Sequence, residues 1–202
     1  MADYITTAEF KTWARVPSTD ADDDIFIGTL ITYASRLVDR QVGKHDSYFS
    51  NTGQSAASRH FAGSGTTEQI IDECTTLSTL ETSDDFGVTW DSWTASTDYW
   101  VSDGQRFDMT PIRLLVANPN GSYAYFPKFV RSIRVSAVWG AYSSAPADIK
   151  EATYRLVHQE YHLKEAGGDE DRALASAEGV WLPSGGIPKL VQRILSNYRS
   201  YT

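Results

Sequence analysis

In Ile133-Arg134-Val135-Ser136-Ala137-Val138-Trp139-Gly140 and the following Ser144-Ala145-Pro146-Ala147-Asp148-Ile149, the chain changes its structural period. Ile133, Val135, Ala137 and Trp139 alternate with Arg134, Ser136 and Val138, the period of two of a strand with one buried face, here placed over 130–139. Beyond Gly140, Pro146 suits a first helical position, where a missing N–H costs nothing. Ile149, Ala152, Thr153, Leu156, Val157 and Tyr161 then recur at three- and four-residue spacing. Strand behind and helix ahead make the chain α+β, with the boundary near residue 145.

Working towards the N-terminus, short runs lie between Gly, Ser, Thr and Asn from about residue 46 onward. Gln69-Ile70-Ile71, Gly87-Val88-Thr89-Trp90, Tyr99-Trp100-Val101 and Ile112-Arg113-Leu114-Leu115-Val116 read as short strands of an antiparallel sandwich or small barrel. Before them, Thr6-Thr7-Ala8-Glu9 has capping-box spacing and opens a helix through Phe10, Trp13 and Ala14 that Pro17 closes. Ser18-Thr19-Asp20 opens a second helix, with Asp22, Asp23 and Asp24 in its first turn, where acids complement the helix dipole. Its apolar stripe is Ile27, Leu30, Ile31, Ala34, Leu37 and Val38, and Gly43 stops it.

Towards the C-terminus, Gly167-Gly168 ends the third helix, and 169–178 reads as a short helix or a mobile connection. Pro183-Ser184-Gly185-Gly186 is a hinge, and Pro188 opens a last helix with Val191, Ile194, Leu195 and Tyr198 on its apolar side. The predicted organisation is a helical bundle from 1–45 and 145–178, an inserted β-rich domain over 46–144, and a C-terminal arm and helix over 179–202.

Composition narrows the function classes. An apolar fraction of 41% with 12% aromatic residues describes a chain that folds. Cys74 is the only cysteine, which excludes an intramolecular disulfide and a cysteine-based zinc site. No stretch has the length of uncharged apolar sequence that a membrane span needs, and Met1-Ala2-Asp3-Tyr4 shows no secretory signal, so assembly in a reducing cytoplasm is expected. The net charge is −8, and between Arg59 and Arg106 there is no Lys or Arg, but nine acids: Glu68, Asp72, Glu73, Glu81, Asp84, Asp85, Asp91, Asp98 and Asp103. Beyond Glu178 the sign reverses, with Lys189, Arg193 and Arg199 facing no acid. A conventional DNA reader needs a basic patch, which this distribution does not offer.

The motifs with chemical potential are weak. His158-Gln159-Glu160-Tyr161-His162 sets two imidazoles one turn apart, but the zinc-protease pattern needs Glu where Gln159 stands. Gly63-Ser64-Gly65-Thr66 lacks the Gly-Lys-Ser/Thr of a phosphate loop and reads as a turn. Cys74 has no basic neighbour in sequence and reads as a small buried hydrophobe. Trp90, Trp93, Tyr99 and Trp100 read as core or interface, or alternatively as an exposed sugar-binding row on a carbohydrate- or host-binding module. A hydrolase using the paired carboxylates is the other alternative, and it requires a desolvated Asp or Glu in a cleft. No catalytic, cofactor or metal site is assigned.

Three stretches carry a resemblance: Tyr4-Ile5-Thr6-Thr7-Ala8-Glu9-Phe10 with the Asp-rich helix ending Ala34-Ser35-Arg36-Leu37-Val38-Asp39-Arg40; Arg59-His60-Phe61; and Val135-Ser136-Ala137-Val138-Trp139-Gly140 with Pro146-Ala147-Asp148-Ile149-Lys150-Glu151-Ala152. With the terminal Ile187-Pro188 to Tyr198-Arg199, the order of elements resembles the head–tail connector proteins of long-tailed bacteriophages, also called adaptor or head-completion proteins. The resemblance implies a structural virion protein of the neck, not an enzyme, assembled as a dodecameric ring under the portal. Such a ring extends the channel for double-stranded DNA, without reading its sequence, and docks the next head-completion or tail-terminator protein. It also implies that the C-terminal arm clasps the portal, the alternative being that its helix packs on the chain's own bundle as an ordinary amphipathic helix. Trp181, Leu182, Ile187 and Leu190 then bury in a groove, Tyr198 flanks them, and Lys189, Arg193 and Arg199 meet acidic partner surface. Asp72, Glu73, Glu81, Asp84, Asp85 and Asp91 then line the channel, where negative walls let DNA slide, or face outward as a solvated surface, or pair with Arg113, Lys128, Arg131 and Arg134 of a neighbouring subunit.

Overall fold

A computed structural model of the chain describes residues 2–19, 21–165, 174–176, 179–181 and 186–199. The chain divides into two compact units, one built on Tyr48–Ser144 and the other on Asp3–Ser47 with Ala145–Thr202.

The first unit is β-rich. Its strands β1 (Ala57–Phe61), β2 (Glu68–Thr82), β3 (Asp91–Trp93), β4 (Tyr99–Ser102), β5 (Ile112–Ala117) and β6 (Ile133–Trp139) form one antiparallel sheet. The hydrogen-bonded path runs β1-β6-β2-β5-β4, with β3 attached to β2, and no pairing among the described residues joins its two ends. The sheet is therefore open. β2 is its axis. The Glu68–Cys74 half of β2 pairs with β5, Cys74–Thr82 pairs with β6, and Leu80–Thr82 also pairs with β3. The β2–β6 register shifts between Cys74 and Thr76 and again between Leu77 and Thr79, irregularities that bend a strand.

Alternation along β6 puts Ile133, Val135, Ala137 and Trp139 into the core, as the sequence pattern predicts. They meet Ile71, Cys74 and Leu80 of β2, Leu115 of β5, and Trp93. Trp93 is stacked between Tyr123 and Phe126, with ring centroids 4.7 and 4.8 Å away, and its Nε1–H donates to Thr82 Oγ1 at 2.8 Å. Two expectations are corrected. Gly87-Val88-Thr89-Trp90 is not a strand but part of a turn, because the Asp85 carboxylate accepts the Val88 and Thr89 N–H groups that a strand would have offered to a neighbour. Residues 130–132 lie in a turn before β6, in which Arg131 has φ +55°.

The second unit is helical. α1 (Thr7–Ala14) has the predicted capping box: Glu9 N–H donates to Thr6 Oγ1 at 3.2 Å, and Thr6 N–H donates to Glu9 Oε2 at 2.7 Å. Arg15 at φ +60° ends the helix before Pro17 is reached. α2 (Asp24–Val42) begins later than predicted, with Asp23 as its N-cap, so only Asp24 of the acidic triplet lies in its first turn. There Asp24 pairs with Lys11 of α1, whose ammonium is buried. Gly43 at φ +76° is the predicted stop. Near that end, fully buried Asp39 accepts hydrogen bonds from the Tyr4 hydroxyl and from Ser47 N–H at 2.8 Å, with Arg36 alongside at 3.4 Å.

α3 (Ala147–Glu165) buries all six predicted positions, from Ile149 to Tyr161, and packs against α2 and α1, with the Phe10 ring edge-on to Tyr161 at 6.0 Å. α4 (Lys189–Ser196) follows Pro188 and buries Val191 and Leu195. Between them, β7 (Leu174–Ser176) and β8 (Gly179–Trp181) pair as a small antiparallel ladder, so 174–176 is extended where a short helix or a mobile connection is predicted. The predicted hinge at 183–185 lies outside the described residues.

Candidate functional site

The residues assigned to partner contact fall on two kinds of surface. The first is the C-terminal segment. Leu182 lies outside the described residues, as does the side chain of Trp181, which is on β8. Ile187, Leu190 and Tyr198 are half-buried, and Lys189, Arg193 and Arg199 are exposed. α4 is seated within the helical unit, not projecting from it. Tyr198 Oη donates to the Asp148 carboxylate at 2.8 Å, and Arg199 Nε donates to the Gln41 carbonyl at 2.9 Å. Thus Tyr198 and Arg199 are held by α3 and α2, while Lys189 and Arg193 present charge outward.

The second surface is the acidic interval, and the sheet register gives most of its members a role inside the chain. Asp72 pairs with Arg59 of β1 at 2.5 Å. Arg59 in turn lies over the Trp139 ring, 4.4 Å from its centroid. Glu81 takes a two-pronged contact from Arg134 at 2.6 and 2.8 Å, which holds the carboxyl below its usual range and raises the guanidinium. Arg134 also covers Trp90 at 4.4 Å. Glu73 accepts from the Tyr48 hydroxyl, whose pKa is raised first by burial and then by that carboxylate. Asp85 accepts from Ser83 Oγ at 2.7 Å and from Thr89 Oγ1 at 2.6 Å, and these bonds push its pKa well down. Asp98 receives Thr94 N–H at 2.8 Å and Ser122 N–H at 2.9 Å, and is likewise lowered. Asp84 and Asp91 are exposed. Arg134 therefore meets Glu81 within the same chain.

The sugar-binding alternative gains no open aromatic row, and the desolvated carboxylate, Asp39, whose pKa burial raises, is engaged by Tyr4, Ser47 and Arg36 within the helical unit. Trp93 and Tyr99 are 5% and 3% exposed, so the aromatic residues of 90–100 do not form an open row. Among the described residues no group of three or more His, Cys, Asp or Glu converges on a metal position. Gly63-Ser64-Gly65-Thr66 is a packed turn: Gly63 N–H donates to the Phe129 carbonyl at 2.9 Å and Gly65 N–H to that of Pro127 at 3.2 Å. Those amides are used inside the chain and do not cradle a phosphate. Cys74 is fully buried, and burial pushes its thiol up to about 12. No described helix is long and apolar enough to cross a membrane.

One surface has no counterpart in the sequence reading. Phe86, Val88, Phe129 and Val130 are 65%, 80%, 39% and 69% exposed on the two loops that precede β3 and β6. The Phe86 and Phe129 rings lie 5.2 Å apart, so the loops share an outward apolar tip. The signal was available in the run Phe86-Gly87-Val88, whose apolar residues lie both before and after a glycine, but the strand reading absorbed it.

Comparison with known proteins places the molecule. The family model described as head completion protein matches residues 3–201, nearly the whole sequence. The chain belongs to the head completion protein family. Its role is accordingly structural, in the head–tail connector of a phage-type virion. Two solved structures have a similar fold. A chain from the neck of an empty GTA particle, computed with C6 symmetry, has a TM-score of 0.58 at 17% identity, covering 98% of this chain and 91% of that one. A chain from the neck of a native GTA particle, computed with C12 symmetry, has a TM-score of 0.54 at 15% identity, covering 97% and 88%. No curated protein matches the sequence.

Proposed function

We propose that copies of this chain close into a dodecameric ring beneath the portal, extending the path of the packaged DNA and presenting a face to the next head-completion or tail-terminator protein. The observation that carries the proposal is the family match over residues 3–201. The likeness of fold to chains in necks computed with C6 and C12 symmetry supports it.

In this reading the helices of 1–45 and 145–178 are a bundle that makes the ring body, and 46–144 is the inserted β domain facing a neighbouring component. The portal contact falls on 179–202. Because α4 already buries Val191 and Leu195, the part offered to the portal is its outward side, with Lys189 and Arg193 giving a positive face for acidic partner surface. The channel-lining role narrows to Asp84 and Asp91, since Asp72, Glu73, Glu81 and Asp85 are engaged within the chain. DNA passes such a wall without phosphate contacts that would hold it.

The test is copurification with the portal protein, comparing the full chain with one truncated after Gly179. The full chain is expected to bind and the truncated chain to lose most of its binding. Equal binding by both would refute the C-terminal contact, and binding by neither would count against the connector placement beneath the portal.

A further inference from the structure

Along the outer side of α3, Tyr154, His158 and His162 follow one another at four-residue intervals, and Trp13 of α1 lies against them. The Trp13 ring stacks on Tyr154 at 5.4 Å between centroids, with 10° between the planes. It meets His158 edge-on, also at 5.4 Å. Trp13 Nε1–H donates to Glu151 Oε2 at 3.2 Å, which fixes the indole in that pose. His158 is half-buried under this contact and His162 is exposed. The two imidazoles meet edge-to-face, 82° apart in plane with centroids 4.1 Å apart, and their Nε2 atoms lie 2.9 Å from each other.

Two ring nitrogens at that separation share one proton, since one must donate and the other accept. A cation placed between the same lone pairs replaces that proton. Metal–imidazole bonds are about 2.0–2.1 Å, so two of them at a right angle span about 2.9 Å, and two at the tetrahedral angle span about 3.3 Å. The separation in this chain is that of neighbouring positions in a tetragonal or octahedral sphere, the geometry Cu2+ and Ni2+ adopt with nitrogen and oxygen donors. Among these ions Cu2+ is held most tightly by nitrogen donors.

We propose that His158 and His162 form a surface chelate for a divalent cation of the copper–nickel type, with water completing the coordination sphere. The ring of His158 is pre-set by Trp13, while exposed His162 closes on the ion from the solvent side. The site does not depend on the ring proposal.

The indole beside His158 gives the test its readout, because Cu2+ and Ni2+ quench tryptophan emission at contact range. The full chain is titrated with CuCl2 in a non-coordinating buffer, following fluorescence and, in parallel, binding heat. The expected result is saturable binding of one ion per chain with partial quenching, Trp13 being one of six tryptophans. His162→Ala, at an exposed position, is expected to weaken binding by roughly tenfold or more and to remove the quenching. Trp13→Phe is expected to keep the binding heat and lose the quenching, and His60→Ala, on β1, to change neither. Unchanged binding in His162→Ala, or equal quenching in Trp13→Phe, would place the ion elsewhere and overturn the proposal, as would no binding by the parent chain.

Discussion

Replacing Leu195 with Ala tests whether the C-terminal helix is held by the chain itself. α4 has eight residues, too few to stay helical alone in water, where isolated helices shorter than about 12–15 residues are marginal. Its helicity therefore rests on docking, and the docking rests on few groups: Val191 at 0% and Leu195 at 1% exposure, the Tyr198–Asp148 hydrogen bond, and the Arg199–Gln41 contact. Leu195→Ala removes three buried carbons, about 2.4 kcal/mol at 0.8 kcal/mol for each, and the cavity left behind brings the cost to about 3 kcal/mol. If that cost falls on docking, the opening equilibrium of α4 shifts by about a hundredfold, since each 1.4 kcal/mol is tenfold. Amide exchange of peptides covering 189–196 should accelerate by that factor, while peptides from Ile133–Trp139 keep their protection. Exposed Lys189→Ala is the control and should leave exchange unchanged. Acceleration of less than about threefold in the Leu195→Ala chain would refute docking as the support of α4.

Gly63→Ala should destabilise the β unit by about 1–3 kcal/mol or more, because the added methyl would sit 1.8 Å from the Pro127 carbonyl oxygen, and the urea midpoint reads the loss. Asp98→Ala strips the acceptor from the Thr94 and Ser122 N–H groups and should cost about 1–3 kcal/mol in the same assay. Since the folded pKa of Asp98 is lowered, its contribution is complete above the ordinary carboxylate value of about 3.9 and is lost as pH falls through the folded value. The gap in stability between parent and Asp98→Ala should therefore shrink in acid, and a gap that widened there would contradict the assignment.

What could be read from the sequence was what local periodicity encodes. α3 was legible because five apolar positions and Thr153 lie on one face, and β6 because every second residue is apolar. β2 was not. After Ile70-Ile71 it continues through Asp72, Glu73, Thr75, Thr76, Ser78 and Thr79, which reads as a polar connection, and it is extended because β5, β6 and β3 supply partners from elsewhere in the chain. The acidic interval shows the same limit at the level of function. Composition predicts a negative wall, but Asp72 and Glu81 find Arg59 and Arg134, 13 and 53 residues away, through the register of β1, β6 and β2.

The central position of β2 has a consequence for synthesis. It leaves the ribosome before its principal partner, and the fifty residues from 83 to 132 must follow before β6 begins to appear. β3 and β5 emerge within that interval and can pair with the two ends of β2, but Thr75–Thr79 wait for β6, the kind of segment that pairs with another chain. The outward residues of β2, among them Glu68, Asp72 and Thr76, put charge and hydroxyls where a second nascent chain would dock.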